Sequence, residues 1–266
     1  MTRYRPPHGG LVAVAGKGGT GKTTFSSLLI RYLVEQGETP VLAVDADPNA
    51  NLGELLGLRP SVSVGALREK SFAGEAALRD IPPGWDKRTW TEYRMHQAVA
   101  EGPGFDVLEM GRPEGPGCYC FANSLLREHV NTLAGSYRWV VMDNEAGLEH
   151  LNRHVCRRAD VMFLLSDPSP RGLRTAERIR ELIRELKLDV GQVVLVMNGL
   201  RPGAGEAGWD HTAFHFLPWD DEVMSADAEG RSVFSLAADN AMLLAVGRLV
   251  DDYVVGVAQE RGRCAR

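Results

Sequence analysis

Residues 16–24 read GKGGTGKTT, and the fold of the chain can be predicted from this stretch and its two flanks. It follows the apolar run Leu11–Ala15 and precedes a helical pattern from Phe25 to Glu35. A strand, a glycine-rich loop and a helix in this order are typical of a phosphate-binding loop, in which backbone N–H groups and the start of the helix bind phosphate oxygens. The pattern predicts a site for a nucleoside triphosphate; a plain glycine turn is the alternative.

The motif G-x-x-x-x-G-K-[ST] gives a separate task to each residue type in residues 16–24, here called the phosphate loop. Its glycines let the backbone approach the phosphates, Lys22 offsets the charge of the β- and γ-phosphates, and Thr23 can ligate Mg²⁺. We expect the whole loop to contact the nucleotide, through Gly16, Lys17, Gly18, Gly19, Thr20, Gly21, Lys22, Thr23 and Thr24.

Length and composition fit one α/β domain. The chain has 266 residues, 44% of them hydrophobic, and a formal net charge of -5. We expect a single domain over residues 1–266 with a flexible lead-in at 1–10. The acidic balance argues against nucleic acid as the main ligand, and no apolar stretch approaches a membrane span. Without a hydrophobic signal segment near the N terminus, the expected location is the cytoplasm.

Apolar runs that alternate with helical patterns predict a doubly wound, mainly parallel sheet with helices on both faces. Strands are predicted at 11–15, 41–44, 105–110, 139–142, 161–165, 193–197 and 213–217. The clearest helical patterns cover 25–35, 88–101, 121–134, 172–186 and 237–259. The stretch 61–85 mixes helical pieces with prolines and is expected to be irregular.

Acidic residues follow two of these strands, at the end where ligands bind in open parallel sheets. Asp47 lies where a carboxylate can orient an attacking water, although it could instead cap the short helical piece at 52–56. Asp45 is expected to support the residues that contact the nucleotide without contacting it itself. Asp143 ends an apolar run in the arrangement that holds Mg²⁺, often through water, and is the predicted partner of Thr23.

Two of the four cysteines form a Cys-x-Cys pair in the stretch GRPEGPGCYC at 111–120. In an extended chain Cys118 and Cys120 point the same way, so their thiolates could share one Zn²⁺, Cu⁺ or Ni²⁺ ion. The remaining ligands could come from a second copy of the chain, from Cys156 or Cys264, or from substrate or water. On spacing alone, chance explains the pair equally well. Cys156 is otherwise expected to be a buried helix thiol.

The phosphate loop resembles the deviant Walker A motif of the ATPases that include MinD, ParA and the nitrogenase iron protein. The resemblance implies that Lys17 crosses a dimer interface to the partner's phosphates; the alternative is a lysine that is solvated or contacts phosphate within its own chain. The stretch DADPN around Asp47 resembles the switch of the same family, which implies that Asp47 positions the nucleophile. Asn198 and Pro218 resemble its adenine contacts, although Asn-Gly also favours a turn.

Two further stretches are similar to the CooC-type ATPases, which assist nickel insertion into carbon monoxide dehydrogenase and the related acetyl-CoA synthase. These are GRPEGPGCYC and DNEAGLEHL at 143–151, and the resemblance runs from residue 11 to about residue 235. It implies a homodimer that binds ATP or ADP, Mg²⁺, and Ni²⁺ or Zn²⁺ through Cys118 and Cys120, with a client nickel enzyme. Glu149 and His150 are candidates to relay the nucleotide state to the cysteines.

Two other functions stay open. A positioning ATPase of the MinD or ParA kind would use ATP-driven dimerisation to hold a membrane or DNA, but the C-terminal residues show no clear basic amphipathic anchor and Cys118-Tyr119-Cys120 would be unused. An iron–sulfur electron donor of the nitrogenase iron protein kind would use two cysteines per chain, although in that protein the two ligands come from well-separated loops.

Overall fold

The computed structural model describes residues 10–67, 81–112, 126, 128–145, 158–200 and 214–256. Several predictions fall outside these ranges. They concern the lead-in at 1–10 except its last residue, most of the stretch 61–85, and the residues Cys118, Cys120, Glu149, His150, Cys156 and Cys264.

The strands of the described residues form one sheet in the order β3-β4-β2-β5-β1-β6-β7-β8. Neighbouring strands are parallel except β3 and β4, which are antiparallel. The bounds are β1 Gly10–Gly16, β2 Val41–Asp45, β3 Val99–Glu101, β4 Phe105–Glu109, β5 Trp139–Asp143, β6 Arg158–Ser166, β7 Asp189–Leu200 and β8 His215–Pro218. The predicted mainly parallel sheet is confirmed.

Helices connect most of these strands, as the alternating pattern predicts. They are α1 Lys22–Glu35, α2 Leu52–Leu56, α3 Lys87–His96, α4 Pro170–Glu185, α5 Asp221–Ala228 and α6 Ala241–Val250, with 3₁₀ turns at Ala134–Ser136 and Val233–Ser235 and a π turn at Asp251–Val255. Residues 128–133 are also helical. Within the ranges given above, no helix is long and apolar enough to cross a membrane.

The central strand β1 is buried on both faces, which explains its uninterrupted apolar sequence. Val12 and Val14 belong to a core that includes residues of α1, α2 and α6. Ala13 and Ala15 belong to a second core on the opposite face, which includes residues of α4. Successive side chains of a strand point to opposite faces, so one short run supports helices on both sides of the sheet.

Two predicted helices differ from the structure. The pattern at 88–101 ends at His96, and Val99–Glu101 pairs with β4 instead, because β-branched Val99 and its pairing with Leu108 favour a strand. The pattern at 237–259 begins only at Ala241, where the Asn240 side chain accepts a hydrogen bond from the N–H of Leu243.

Candidate nucleotide-binding site

The phosphate loop leaves β1 through a glycine that no other residue can replace without displacing the backbone. A Cβ atom at Gly16 would lie 2.3 Å from the carbonyl oxygen of Leu165 in β6. Gly21, with φ of 80°, closes the loop beside β7, and a Cβ atom there would lie 2.4 Å from Nδ2 of Asn198. Both glycines therefore allow the loop to pack directly against its neighbouring strands.

Lys22, the first residue of α1, turns its side chain back into the loop. Lys22 is only 8% exposed, and its Nζ donates to the carbonyl oxygen of Lys17 at 3.4 Å. Burial lowers the pKa of Lys22, while the nearby carboxylates of Asp143, Asp47 and Glu145 oppose that shift. The structure thus brings this cation together with two of the predicted acidic residues.

Thr23 and Asp143 are in contact, as the sequence predicts for a magnesium pair. The Thr23 hydroxyl donates to the Asp143 carboxylate, and Ser26 Oγ donates to Oδ1 of the same group at 3.2 Å. Burial, followed by the charge of Asp45, raises the pKa of Asp143 to about 7. A buried carboxylate that resists ionisation is one that a bound cation would stabilise.

Asp45 and Asp47 have different roles at the end of β2. Asp45 is buried and accepts from the N–H groups of Asp47 at 2.9 Å and Leu52 at 2.8 Å. Asp47 accepts from Asn49, through the backbone N–H at 2.8 Å and through Nδ2 at 2.9 Å. Asp45 therefore holds the start of α2, and the alternative that Asp47 caps this helix is wrong. Asp47 remains at the strand end with its carboxylate outside the helix.

Three carboxylates form a row across adjacent strand ends, here called the carboxylate row: Asp143, Asp45 and Glu109. Asp45 is the register partner of both Asp143 in β5 and Glu109 in β4. Burial, and then the charge of Asp45, raises the pKa of Glu109 to about 7. Burial also raises the pKa of Asp45 to about 6. Glu109 was not predicted as a site residue, yet like Asp143 it is an acidic residue at the end of an apolar run.

Lys17 is paired within its own chain. Its Nζ lies 3.0 Å from Oδ2 of Asp167, and both side chains are about one-third exposed. Burial opposes ionisation of Asp167, but its hydrogen bonds from Ser169 and Lys17 lower its pKa overall. The predicted contact of Lys17 with a partner's phosphates, and the alternative of a solvated or intrachain phosphate contact, stay predictions beside this carboxylate contact. Asp167 was not predicted, although it follows the apolar run of β6 and precedes a proline, as Asp47 does after β2.

Asn198 and Pro218 lie at the same end of neighbouring strands. Asn198 Nδ2 donates to the carbonyl oxygen of Thr20 at 2.9 Å, whereas its Oδ1 is buried and has no hydrogen-bond partner among the described residues. Asn198 belongs to β7 and precedes Gly199, with φ of 81°, at an irregularity in the pairing with β8. Pro218 is the register partner of Leu200. The alternative of a simple Asn-Gly turn is therefore wrong.

The described residues contain no cluster of three or more His, Cys, Asp or Glu side chains that could hold a metal ion. The predicted cysteine pair lies outside the described residues. What the structure brings together is the phosphate loop, the acidic residues of β2 and β5, and the amide of Asn198, all at the carboxyl edge of the parallel strands.

Residues 11–233 match the family model described as the CobQ/CobB/MinD/ParA nucleotide binding domain. The chain belongs to this family. Its members MinD, ParA and CooC are ATPases, and the protein is accordingly an ATP hydrolase with the phosphate loop in its expected structural context.

Several relatives match most of the chain, and two of them are more than 30% identical to it. An uncharacterized ATP-binding protein of Methanocaldococcus jannaschii is 37% identical over 252 residues, which cover 92% of this chain and 98% of that protein. The carbon monoxide dehydrogenase accessory protein CooC of Rhodospirillum rubrum is 31% identical over 243 residues, which cover 85% of this chain and 90% of that protein. The predicted similarity to CooC is therefore present, alongside strong similarity to a protein without an assigned activity.

Solved structures agree on the fold. The cell division ATPase MinD of Pyrococcus furiosus superposes with a TM-score of 0.64 at 21% identity, covering 92% of this chain and 99% of that one. MinD of Pyrococcus horikoshii, solved in complex with Mg-ADP, gives a TM-score of 0.63 at 20% identity and covers 91% of this chain and 95% of that one. At these identities the comparison establishes the architecture.

Proposed function

We propose that this ATPase works as a homodimer that binds Ni²⁺ or Zn²⁺ through Cys118 and Cys120 and assists nickel insertion into a client enzyme such as carbon monoxide dehydrogenase. One observation carries the proposal. β4 ends in the carboxylate row, and the chain then runs by sequence from Glu109 into the Cys-x-Cys stretch. The similarity to CooC over 85% of the chain supports the same conclusion.

ATP hydrolysis is assigned to residues at the carboxyl edge of the sheet. Water attacks the γ-phosphorus, the bond to the β,γ-bridging oxygen breaks, and ADP and phosphate leave. Asp47 orients the water, and Lys22 offsets charge on the β- and γ-phosphates, as its burial among loop atoms and carboxylates suggests. The remaining residues of 16–24 bind the phosphates of their own chain through backbone N–H groups, whereas the Lys17 side chain reaches the partner's phosphates.

The side chains of Thr23 and Asp143 fit Mg²⁺, because both are oxygen donors and they already contact each other. Asp143 would bind the ion directly or through water. The ion supplies positive charge beside the β- and γ-phosphate oxygens when it is bound.

We propose adenine as the base that the Asn198 amide contacts. Its Oδ1 is a buried acceptor with no partner among the described residues, and an unpaired buried acceptor costs about 1–3 kcal/mol. The exocyclic amino group of adenine would supply the missing donor. Pro218, at the end of the neighbouring strand β8, is the proposed second contact to the base.

The dimer part of the proposal concerns Lys17 and the cysteines. In a two-fold dimer, two Cys118/Cys120 pairs form a four-sulfur site on the symmetry axis. Lys17 must leave Asp167 to reach the partner's phosphates, so nucleotide-driven closure would couple hydrolysis to assembly. The single sheet shared by the described residues supports treating each chain as one domain, and we propose that it acts in the cytoplasm.

Metal titration tests this function directly. Ni²⁺ and Zn²⁺ are titrated into the wild type and the double variant Cys118→Ala/Cys120→Ala, with ADP or ATP, while light scattering follows the mass. We expect one ion per dimer in the wild type and none in the double variant. Cys156→Ala is the matched control, because it removes a thiol and leaves the pair intact. Equal metal binding by the wild type and the double variant would refute the shared site.

Delivery requires a second assay, in which metal-free client enzyme is mixed with nickel-loaded protein and ATP. Nickel transfer that needs ATP and both cysteines supports the proposal. Binding to vesicles or DNA with no metal uptake would instead favour a positioning ATPase. A brown protein with cluster absorbance after anaerobic purification would favour the electron donor.

A further inference from the structure

Arg112 contacts the nucleotide side of the molecule from the end of a different strand. It lies three residues after β4, and its Nη2 donates to Oδ1 of Asn49 at 2.6 Å, across 63 residues of sequence. Asn49 belongs to the DADPN stretch that follows β2. This charge-assisted hydrogen bond is short but exposed to solvent, so what it supplies is the orientation of Asn49 and not a large stabilisation.

Asn49 links Arg112 to Asp47, the residue proposed to orient the water. Its Nδ2 donates to Oδ1 of Asp47 at 2.9 Å, and its backbone N–H donates to the same oxygen at 2.8 Å. An amide can accept on one side and donate on the other, so the bond from Arg112 sets which way the Asn49 side chain faces. Arg112, Asn49 and Asp47 thus form a continuous hydrogen-bonded chain, here called the Arg112 relay.

The backbone just before Arg112 is held by two hydrogen bonds. Met110, two residues before Arg112, donates its N–H to the carbonyl oxygen of Asp45 at 2.8 Å and accepts at its own carbonyl from the N–H of Gly65 at 2.7 Å. Asp45 also accepts from the N–H of Asp47. The segments that carry Arg112 and Asp47 are therefore both hydrogen-bonded to Asp45, which fixes their positions relative to each other.

We infer that Arg112 is a positioning residue, which holds the Asp47 carboxylate in place through Asn49. The inference rests on the proposed function in one respect, the role of Asp47 in orienting the attacking water.

The positioning role is tested first, by steady-state ATP hydrolysis without added nickel. Arg112→Ala should lower kcat between about 5- and 100-fold and change the KM for ATP less than about twofold. The reason is that the Asp47 carboxylate, once misplaced, slows the attack of water but does not contribute to ATP binding. Arg112→Lys should recover part of the loss. Asn49→Asp keeps a partner for Arg112, but its side chain can no longer donate to Asp47, so it should lower kcat as well.

Arg231→Ala is the matched control, since Arg231 is also a surface arginine with carboxylate and hydroxyl partners, Glu229 and Ser235. Thermal melts verify that all variants fold. Unchanged kcat in both Arg112→Ala and Asn49→Asp would overturn the positioning role.

Asp47→Asn, measured in the same assay, separates the positioning role from the proposed role of Asp47. We expect Asp47→Asn to lower kcat at least as far as Arg112→Ala does. An unchanged kcat in Asp47→Asn would count against the proposed function, whereas a loss there with normal kcat in Arg112→Ala and Asn49→Asp would overturn the positioning role alone.

Discussion

At the residue scale, an ion pair with Asp167 holds the Lys17 side chain within its own chain. The pair is about one-third exposed on both sides, so water screens the attraction. Exposed ion pairs of this kind contribute roughly 0.2–1 kcal/mol. The contact can therefore hold Lys17 in one place and still be broken by a nucleotide or by a second chain.

Replacing Asp167 with Asn should make ATP-dependent dimerisation slightly easier. The variant removes the competing charge but keeps an acceptor for the Ser169 N–H, so the dimer dissociation constant should fall by no more than about fivefold, corresponding to ~1 kcal/mol. Sedimentation with a non-hydrolysable ATP analogue measures it. A dissociation constant that rises would mean that Asp167 supports the dimer instead.

Glu109 offers a pH-dependent test of the carboxylate row. Its pKa is raised to about 7 in the folded chain, so between about pH 4.5 and 7 the folded state binds more protons than the unfolded state and stability falls as pH rises. Glu109→Gln keeps an acceptor for the Gly53 N–H and removes the charge. We expect its melting temperature to exceed that of the wild type by about 2–4 °C at pH 8, for a difference of ~1 kcal/mol.

At pH 4 the two melting temperatures should converge, because Glu109 is then protonated in the folded chain. A stabilisation of Glu109→Gln that is the same at both pH values would show that the charge is not its cause. Glu229→Gln is a matched control, since Glu229 is an exposed surface carboxylate paired with Arg231.

At the element scale, β1, the phosphate loop and α1 act as one unit because Gly16 and Gly21 leave no room for a side chain against β6 and β7. Sequence periodicity identified β1, β2, α1 and α4 to within a few residues, since each buries a long apolar face. The strand β3 escaped prediction. Three residues carry little periodic signal, and their state is set by pairing with β4.

Gly16→Ala should disrupt this unit. The added methyl group would meet the Leu165 carbonyl oxygen at 2.3 Å, so the backbone must shift, at a cost of about 1–3 kcal/mol. Melting temperature and ATP affinity, measured by calorimetry, should both fall. Gly37→Ala is the control, because Gly37 also has positive φ but has nothing within 4 Å of an added Cβ; ATP affinity should be normal there. Normal affinity in Gly16→Ala would show that the loop tolerates the shift.

At the scale of the whole molecule, two cores lie on opposite faces of one sheet and leave the carboxyl edge for chemistry. The strand order puts β1 between β5 and β6, so the loop, Asp143 and Asp167 converge although 150 residues separate Lys17 from Asp167. The carboxyl edge of the strands carries these polar residues, and the second chain of the proposed dimer would cover it.

If Lys17 acts across a dimer, the hydrolysis rate per chain should rise with protein concentration. We expect this in the wild type, whereas Lys17→Ala should bind ATP normally and hydrolyse it at least ~100-fold more slowly at every concentration, since a cation supplied on closure is worth about 10³–10⁵ in rate in related reactions. Steady-state assays over a wide range of protein concentration measure this. A rate per chain that is constant in the wild type would indicate hydrolysis by single chains.

The phosphate loop, the parallel sheet and the acidic strand ends can be predicted from the sequence alone, because they depend on local backbone freedom and on apolar periodicity within one segment. No local pattern predicts that Asp167 holds Lys17, that Glu109 joins the carboxylate row or that Arg112 reaches Asp47 through Asn49. Each of these contacts joins different strand ends. Sheet order and register bring such residues together, and both arise from packing of the whole chain.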